Sequence, residues 1–345
     1  VREKVLGHLQ EEGGGALYEC ELCGRVADED ELVCAADGHA VKMTQAVPRL
    51  LAGRYRLDRR LGEGGMGTVY AARDIRGNRD AAVKVIRGEH LSDRSALARF
   101  RREARLTARL GHPNAVAVYD YGELVSGGAF LVMELLAGGS LRNELSLRKP
   151  IPFREVSWAL DRALDVLAAA HAAGLVHRDV KPDNLFLMRG PGGTTRLKLL
   201  DFGLARETKS EVPSESGGAI SSVSILMGTP GYIAPEIVAG ADATPASDQW
   251  SIAATGVELL TGVRLKFDRP DVPLRSLVDE VVSVVSTVSA GVPVTYARSL
   301  AKAMASDPDD RWVNVLALRH ALYRSTGGRI PGDSDVRFEV LADRR

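Results

Sequence analysis

A chain of 345 residues exceeds one average domain and leaves ample material for a core and a small appendage. Lys plus Arg and Asp plus Glu number 45 each, so no global field recruits nucleic acid or an acidic membrane, and partners must be sought in local sites. The longest apolar candidate, residues 281 to 294, is interrupted by Ser, Thr, Gly and Pro, and the opening Val1-Arg2-Glu3-Lys4 carries no apolar leader. The expectation is a soluble, cytoplasmic chain with no membrane segment.

All three cysteines lie within residues 20 to 34, which argues against a disulfide framework and for reduced, metal-binding thiols. Cys20-Glu21-Leu22-Cys23-Gly24 is a CxxC knuckle, and Cys34-Ala35-Ala36-Asp37-Gly38 repeats it with Asp in place of the fourth Cys. Two such turns can each present two ligands to one tetrahedral ion, as in a zinc ribbon, with Asp37 or His39 completing the set. The role of the Zn²⁺ would be structural. Three reduced thiols in a flexible tail are the alternative. Residues Thr44 to Leu51 read as a linker, so residues 1 to 50 form a zinc-ribbon-like module with its linker.

From Arg54 a strand leads into Leu61-Gly62-Glu63-Gly64-Gly65-Met66-Gly67-Thr68-Val69-Tyr70. Glycine lets a hairpin lie close over phosphates where a Cβ would clash. A dinucleotide site shares the spacing, but there the glycines open a helix, whereas Thr68, Val69 and Tyr70 continue as a strand. Ala81 to Ile86 is a second strand, with Lys84 among apolar residues. A helix is expected over Ser95 to Leu110, where Phe100, Glu103, Thr107 and Leu110 share a face. Glu103 is the only acid in that stripe and therefore the expected ion-pair partner of Lys84. Gly111 and Pro113 end the helix, and Phe130 to Leu136 reads as a buried strand.

Phe153 to Ala173 is an Ala- and Leu-rich helix ending at Gly174. Then comes His177-Arg178-Asp179-Val180-Lys181-Pro182-Asp183-Asn184, and Asp201-Phe202-Gly203 follows the strand Arg196 to Leu200. A carboxylate to orient a hydroxyl, a cation to neutralise phosphate, and oxygens hard enough for Mg²⁺ together suit phosphoryl transfer. The Gly-rich tip at residues 189 to 195 is a hairpin turn between Leu185 to Met188 and the later strand. Residues Glu207 to Ser224 are rich in Ser, Gly and Glu, and a mobile segment is expected there.

In ordered co-occurrence these motifs resemble the eukaryotic-like Ser/Thr protein kinases, particularly their bacterial branch, over about residues 53 to 325. The resemblance implies an α+β bilobal kinase fold, with a β-rich small lobe carrying one helix (51 to 136) and a mainly helical large lobe (137 to 325). A polar, peripheral tail (326 to 345) would follow. It implies an enzyme moving the γ-phosphoryl group of ATP to Ser or Thr of protein substrates with Mg²⁺. Asp179 would take the hydroxyl proton, Lys181 contact the γ-phosphate, and Asn184 and Asp201 hold Mg²⁺. Leu61 to Gly67 would cover the nucleotide. Val69 and Ala82 would pack on adenine, Met133 act as gatekeeper, and backbone groups near Glu134 and Leu136 bond the base. Lys181 and Thr229 go with Ser/Thr acceptors. Glu236 would pair with Arg311, and Asp248 would fix the catalytic-loop backbone. Ser221, Ser222 and Ser224 are candidate autophosphorylation sites, since Arg178 could pair with a phosphate there. The alternatives are a pseudokinase scaffold and a small-molecule kinase, the latter at odds with the Gly228 to Glu236 segment.

Overall fold

The computed structural model describes residues 8–10, 15–91, 94–203, 231–264, 274–289 and 291–341. Chain contacts divide it into two compact units, one made of residues 1–111 and 116–136, the other of residues 112–115 and 137–345. No helix among the described residues is long and apolar enough to cross a membrane.

The first unit is built on a seven-stranded sheet. Its strands are β1 (His8–Gln10), β5 (Leu50–Leu51), β6 (Tyr55–Gly64), β7 (Gly67–Asp74), β8 (Arg79–Ile86), β9 (Val118–Glu123) and β10 (Ala129–Met133), in the order β1-β9-β10-β8-β7-β6-β5. All pairs given a register are antiparallel except β1 with β9. The N-terminal strands β2 (Leu17–Cys20), β3 (Val26–Ala27) and β4 (Val41–Gln45) form a separate small sheet in the order β3-β2-β4.

These two sheets share one hydrophobic core. Alternation puts Tyr70, Val83 and Val132 in one row of facing partners, and all three are buried. Leu17, Val26 and Val47 of the N-terminal segment join that row, together with Leu51, Tyr55, Leu57 and Phe130. The segment Thr44 to Leu51 is therefore not a linker. Thr44 and Gln45 close β4, Leu50 and Leu51 form β5, and Val47 is 4% exposed. Helix α1 (Arg94–Arg109) buries Ala96, Phe100, Ala104 and Thr107, with the Phe100 ring edge-on to Tyr121. Glu103 sits on the half-buried flank of this stripe, and the helix ends before Leu110.

The second unit is mainly helical. A short sheet of β11 (Gly138–Ser140), β12 (Leu185–Arg189) and β13 (Thr195–Leu199) runs antiparallel in that order. Its helices are α2 (Leu141–Leu147), α3 (Phe153–Ala172), α4 (Pro235–Val238), α5 (Pro245–Thr261), α6 (Leu274–Val288), α7 (Val294–Ala303) and α8 (Val315–Ser325). Ser140 caps α2 through a reciprocal bond with Asn143. α3 stops where Gly174 takes φ +75° and the Leu175 N–H reaches back to the Ala170 carbonyl at 2.9 Å. The middle of α5 is buried all round, and a Cβ on Gly256 would lie 2.7 Å from Leu160, so glycine lets α5 approach α3 closely.

The C-terminal segment is not peripheral. Asp333 accepts from the Trp158 indole and an Arg162 guanidinium, both at 3.0 Å, and Phe338 lies buried with its ring 5.7 Å from that of Trp158. The fully buried Glu144 of α2 accepts from the Glu339 and Val340 N–H groups at 3.1 and 2.8 Å and pairs with Arg148. These bonds offset the cost of burying the Glu144 charge, which is why a polar tail is held in place. Phe338→Ala is expected to destabilise the chain by about 3 kcal/mol, read as a lowered denaturant midpoint. An unchanged midpoint would show the tail to be energetically idle.

Candidate active site

In the first unit, β6 and β7 form the hairpin that carries the glycine motif, with Gly64 opposite Gly67. A Cβ at Gly67 would lie 1.9 Å from the Val85 carbonyl oxygen, so this glycine is demanded by the neighbouring strand. At Gly62, Gly64 and Gly65 a Cβ would meet nothing within 4 Å. The protein's own packing does not demand glycine at those three positions, which suits a surface kept clear for a ligand. The hairpin tip is tethered: the Arg87 N–H donates to the Met66 carbonyl at 3.2 Å, and the His90 ring lies 2.8 Å from the Gly65 carbonyl. The Glu63 side chain is engaged by Arg87 at 2.7 Å, and Leu61 is exposed beside an irregularity in the register.

The register brings the expected nucleotide-binding residues onto one face of the sheet. Val69 faces Lys84, Lys84 faces Leu131, and Ala82 faces Met133. By alternation this face is opposite the one holding Tyr70, Val83 and Val132. After β10, the Glu134 N–H donates to the Ala117 carbonyl at 2.9 Å and the Glu134 carboxylate accepts from the Ala117 N–H at 2.7 Å, so the stretch leading to Leu136 is pinned.

In the second unit the catalytic-loop sequence is fixed from behind by Asp248, the first acid of α5. Its fully buried carboxylate accepts from the His177 and Arg178 N–H groups at 2.8 and 2.9 Å, and lies 2.8 Å from the His171 ring. Arg178 takes φ +67°, a costly conformation for a side-chain-bearing residue, and the bond to Asp248 helps hold it. On the loop, the Lys181 ammonium lies 3.0 Å from the Asp179 carboxylate, and the Asn184 amide donates to the same carboxylate at 3.1 Å and to the Asp179 carbonyl at 2.8 Å. With its NH₂ spent on Asp179, Asn184 has an amide oxygen to offer a hard cation. Asp201 follows β13 with φ +52°, while the Gly203 N–H donates to the His177 carbonyl at 3.0 Å and Phe202 packs on the His177 ring. The loop and the Asp201 segment are thereby joined at His177.

Glu236 and Arg311 form a bidentate pair with both distances 2.7 Å, Arg311 being buried. A second network has no counterpart in the sequence reading. Arg142 of α2 bonds the buried Glu258 of α5 at 2.8 Å, Asp183 at 3.3 Å and the Tyr232 hydroxyl at 2.5 Å, tying the catalytic loop to the residues after Gly231. The available signal was an acid ten residues after Asp248 within an apolar helix, since such a charge requires a partner. Ser221, Ser222, Ser224 and Thr229 lie outside the described residues.

The cysteine segment forms a third cluster. One ligand atom each from Cys20, Cys23, Cys34 and Asp37 lies within 4.8 Å of the others. Cys23 and Cys34 sulfurs are 3.7 Å apart, and the Cys20 sulfur is 3.3 Å from Asp37 Oδ1. His39 stands outside this group: its N–H donates to Asp37 Oδ1 at 3.0 Å and its ring, largely exposed, lies 3.1 Å from the Asp37 carbonyl. Of the two residues considered for the fourth position, the structure brings in Asp37.

His177 supplies a pH dependence. Complete burial holds its imidazole below the ordinary range, and its Nε2 lies 2.8 Å from the Leu200 carbonyl. The folded chain keeps His177 neutral while the unfolded chain takes up a proton near pH 6.5. Stability from this group is therefore complete above that pH and falls as pH drops below it, at up to about 1.4 kcal/mol per pH unit. Denaturant unfolding between pH 7 and 5 should show a shallower acid decline in His177→Gln than in wild type. Identical declines would assign the acid sensitivity elsewhere.

The protein kinase domain model matches residues 55–312. The chain is 42% identical over 226 residues to the serine/threonine-protein kinase PknA of Mycobacterium tuberculosis, covering 64% of this chain and 50% of that protein. It is 40% identical over 270 residues to PknL of the same organism, covering 78% and 65%. It thus spans between half and two thirds of the length of these relatives. The solved kinase domain of M. tuberculosis PknI is similar in fold, with a TM-score of 0.60 at 26% identity over 79% of this chain and 96% of that one. With a β-rich unit carrying the glycine hairpin and Lys84, and a helical unit carrying the Asp179 loop and Asp201, this chain belongs to the protein kinase domain family.

Proposed function

We propose that this chain is an ATP- and Mg²⁺-dependent protein serine/threonine kinase. The observation that carries the reading is the Asp179 carboxylate, bonded by Lys181 and Asn184 on a loop whose backbone is held by buried Asp248. Asp179 would orient the acceptor hydroxyl and take its proton, while Lys181 meets the phosphate charge. Asn184 and Asp201 would hold Mg²⁺, which when bound neutralises phosphate charge. Lys84, steadied by Glu103, would meet the α- and β-phosphates, with the hairpin from Leu61 to Gly67 above them and Val69, Ala82 and Met133 against the base. The names of the relatives support Ser/Thr acceptors, as do Lys181 and Thr229. Autophosphorylation at Ser221, Ser222 or Ser224, in a cytoplasmic setting, belongs to the same proposal.

Radiolabel transfer from ATP to a generic protein substrate tests the reading. Lys84→Met and Asp179→Asn are each expected to lower the rate by about 10²-fold or more with the unfolding midpoint kept. Transfer indifferent to Lys84→Met would contradict the site assignment.

We also propose a structural zinc ion at Cys20, Cys23, Cys34 and Asp37. Metal–sulfur bonds of about 2.3 Å in tetrahedral geometry put neighbouring sulfurs about 3.8 Å apart, and a sulfur about 3.5 Å from a carboxylate ligand. The separations of 3.7 and 3.3 Å in this cluster fit both edges. The Asp37 carboxylate pushes the Cys23 thiol up to about 12, so these groups do not all carry charge together unless a cation joins them. Elemental analysis of protein purified without chelator should give about one zinc per chain, lost in Cys34→Ala. Metal-free wild-type protein would remove the idea.

A further inference from the structure

The N-terminal module does more than cover apolar surface. Its polar side chains reach the strands of the glycine hairpin within a few residues of the phosphate-covering tip. Glu19 of β2 is 1% exposed, and its Oε1 accepts from the Tyr70 hydroxyl at 2.7 Å and the Thr44 hydroxyl at 2.6 Å. Its Oε2 lies 3.3 Å from the Arg60 guanidinium. Arg60 and Tyr70 are partners across the β6–β7 ladder, so one buried carboxylate bridges both strands of the hairpin. Gln45 of β4 donates to the Thr68 hydroxyl at 2.8 Å and to Tyr70 at 2.7 Å, and Thr68 is the residue after Gly67. Burial first, and the hydrogen bond to the Glu19 carboxylate next, hold the Tyr70 phenol above its ordinary range. The knuckle is tied in as well: the Gly24 carbonyl accepts from the Arg60 N–H at 2.7 Å. Gly24 has φ +69°, and a Cβ there would lie 3.1 Å from Arg60.

We propose that Glu19 and Gln45 are positioning residues for nucleotide binding, bracing the outer face of the glycine hairpin so that its inner face is held ready for the phosphates. Besides its ladder to β8 and the Arg87 and His90 tethers at its tip, the hairpin is held on its outer face by Glu19 and Gln45, and each of these bonds lost leaves more conformations to be narrowed on binding. This rests on the kinase reading of the hairpin. The two stand or fall separately when Mg·ATP binding is measured without turnover.

The experiment is equilibrium titration of the full chain with Mg·ATP, with initial rates at saturating protein substrate. Glu19→Ala is expected to raise the dissociation constant and the KM for ATP about 5- to 30-fold, while the KM for the protein substrate moves less than about twofold. Glu19→Gln, which keeps the acceptor for Tyr70 and Thr44, should recover most of the affinity. Gln45→Ala removes donors without exposing a buried charge and should cost about 3- to 5-fold, giving a reading if Glu19→Ala fails to fold. Lys42→Ala, at the exposed Lys42–Glu21 pair of the same sheet, should bind ATP as wild type does. Folded Gln45→Ala and Glu19→Gln variants with wild-type ATP affinity, alongside a folded Glu19→Ala with wild-type affinity or a Glu19→Ala that does not fold, would overturn the proposal. So would losses that affect both substrates equally. A wild-type chain that binds Mg·ATP, shows these shifts and transfers no phosphate would contradict the kinase reading alone.

Discussion

A buried carboxylate that accepts two consecutive backbone N–H groups is the constraint on which the helical unit depends. Asp248 lies in a helix buried all round, where an unpartnered charge would cost several kcal/mol. Its bonds to His177 and Arg178 remove that cost and at once hold Arg178 in a left-handed conformation the loop would not adopt unaided. With the loop backbone fixed there, Asp179, Lys181 and Asn184 come into mutual contact, and His177 carries the constraint on to Phe202 and Gly203. Preorganisation of this kind is what phosphoryl transfer asks of a protein, since its barrier is lowered chiefly by positioning and charge.

The β-rich unit meets a different requirement. A twisted sheet has two faces, and only one is given to the expected nucleotide residues, Val69, Ala82, Lys84 and Met133. The other would expose Tyr70, Val83 and Val132, and the N-terminal segment covers it with Leu17, Val26 and Val47. A segment too small for a core of its own thus borrows that of its neighbour, and its first knuckle reaches the hairpin through the Gly24 carbonyl and the Arg60 N–H.

Much of this was legible in the sequence because the chemistry pins residue types at fixed spacing. The glycine motif, Lys84, Asp179, Asn184 and Asp201 leave few alternatives, and Glu236 and Asp248 have the structural partners expected of them. Contacts made at long range by ordinary residues were illegible. Val47 between Ala46 and Pro48 resembles any linker residue, and it is buried in a core drawn from strands on both sides of it in the chain. The tail read as polar because it is; its place is set by Glu144 and Trp158, whose need for partners shows only once helices α2 and α3 are packed. The choice of Asp37 over His39 turned on which side chain the Gly38 turn directs inward, which spacing alone leaves open.

The central claim is that a hydroxyl oriented by Asp179 receives a phosphoryl group. Mass-spectrometric identification of the residues modified after incubating the full chain with Mg·ATP and a mixed peptide library tests it most directly. The account predicts phosphoserine and phosphothreonine. Phosphotyrosine alone, or no modified residue from a chain that binds Mg·ATP, would contradict it.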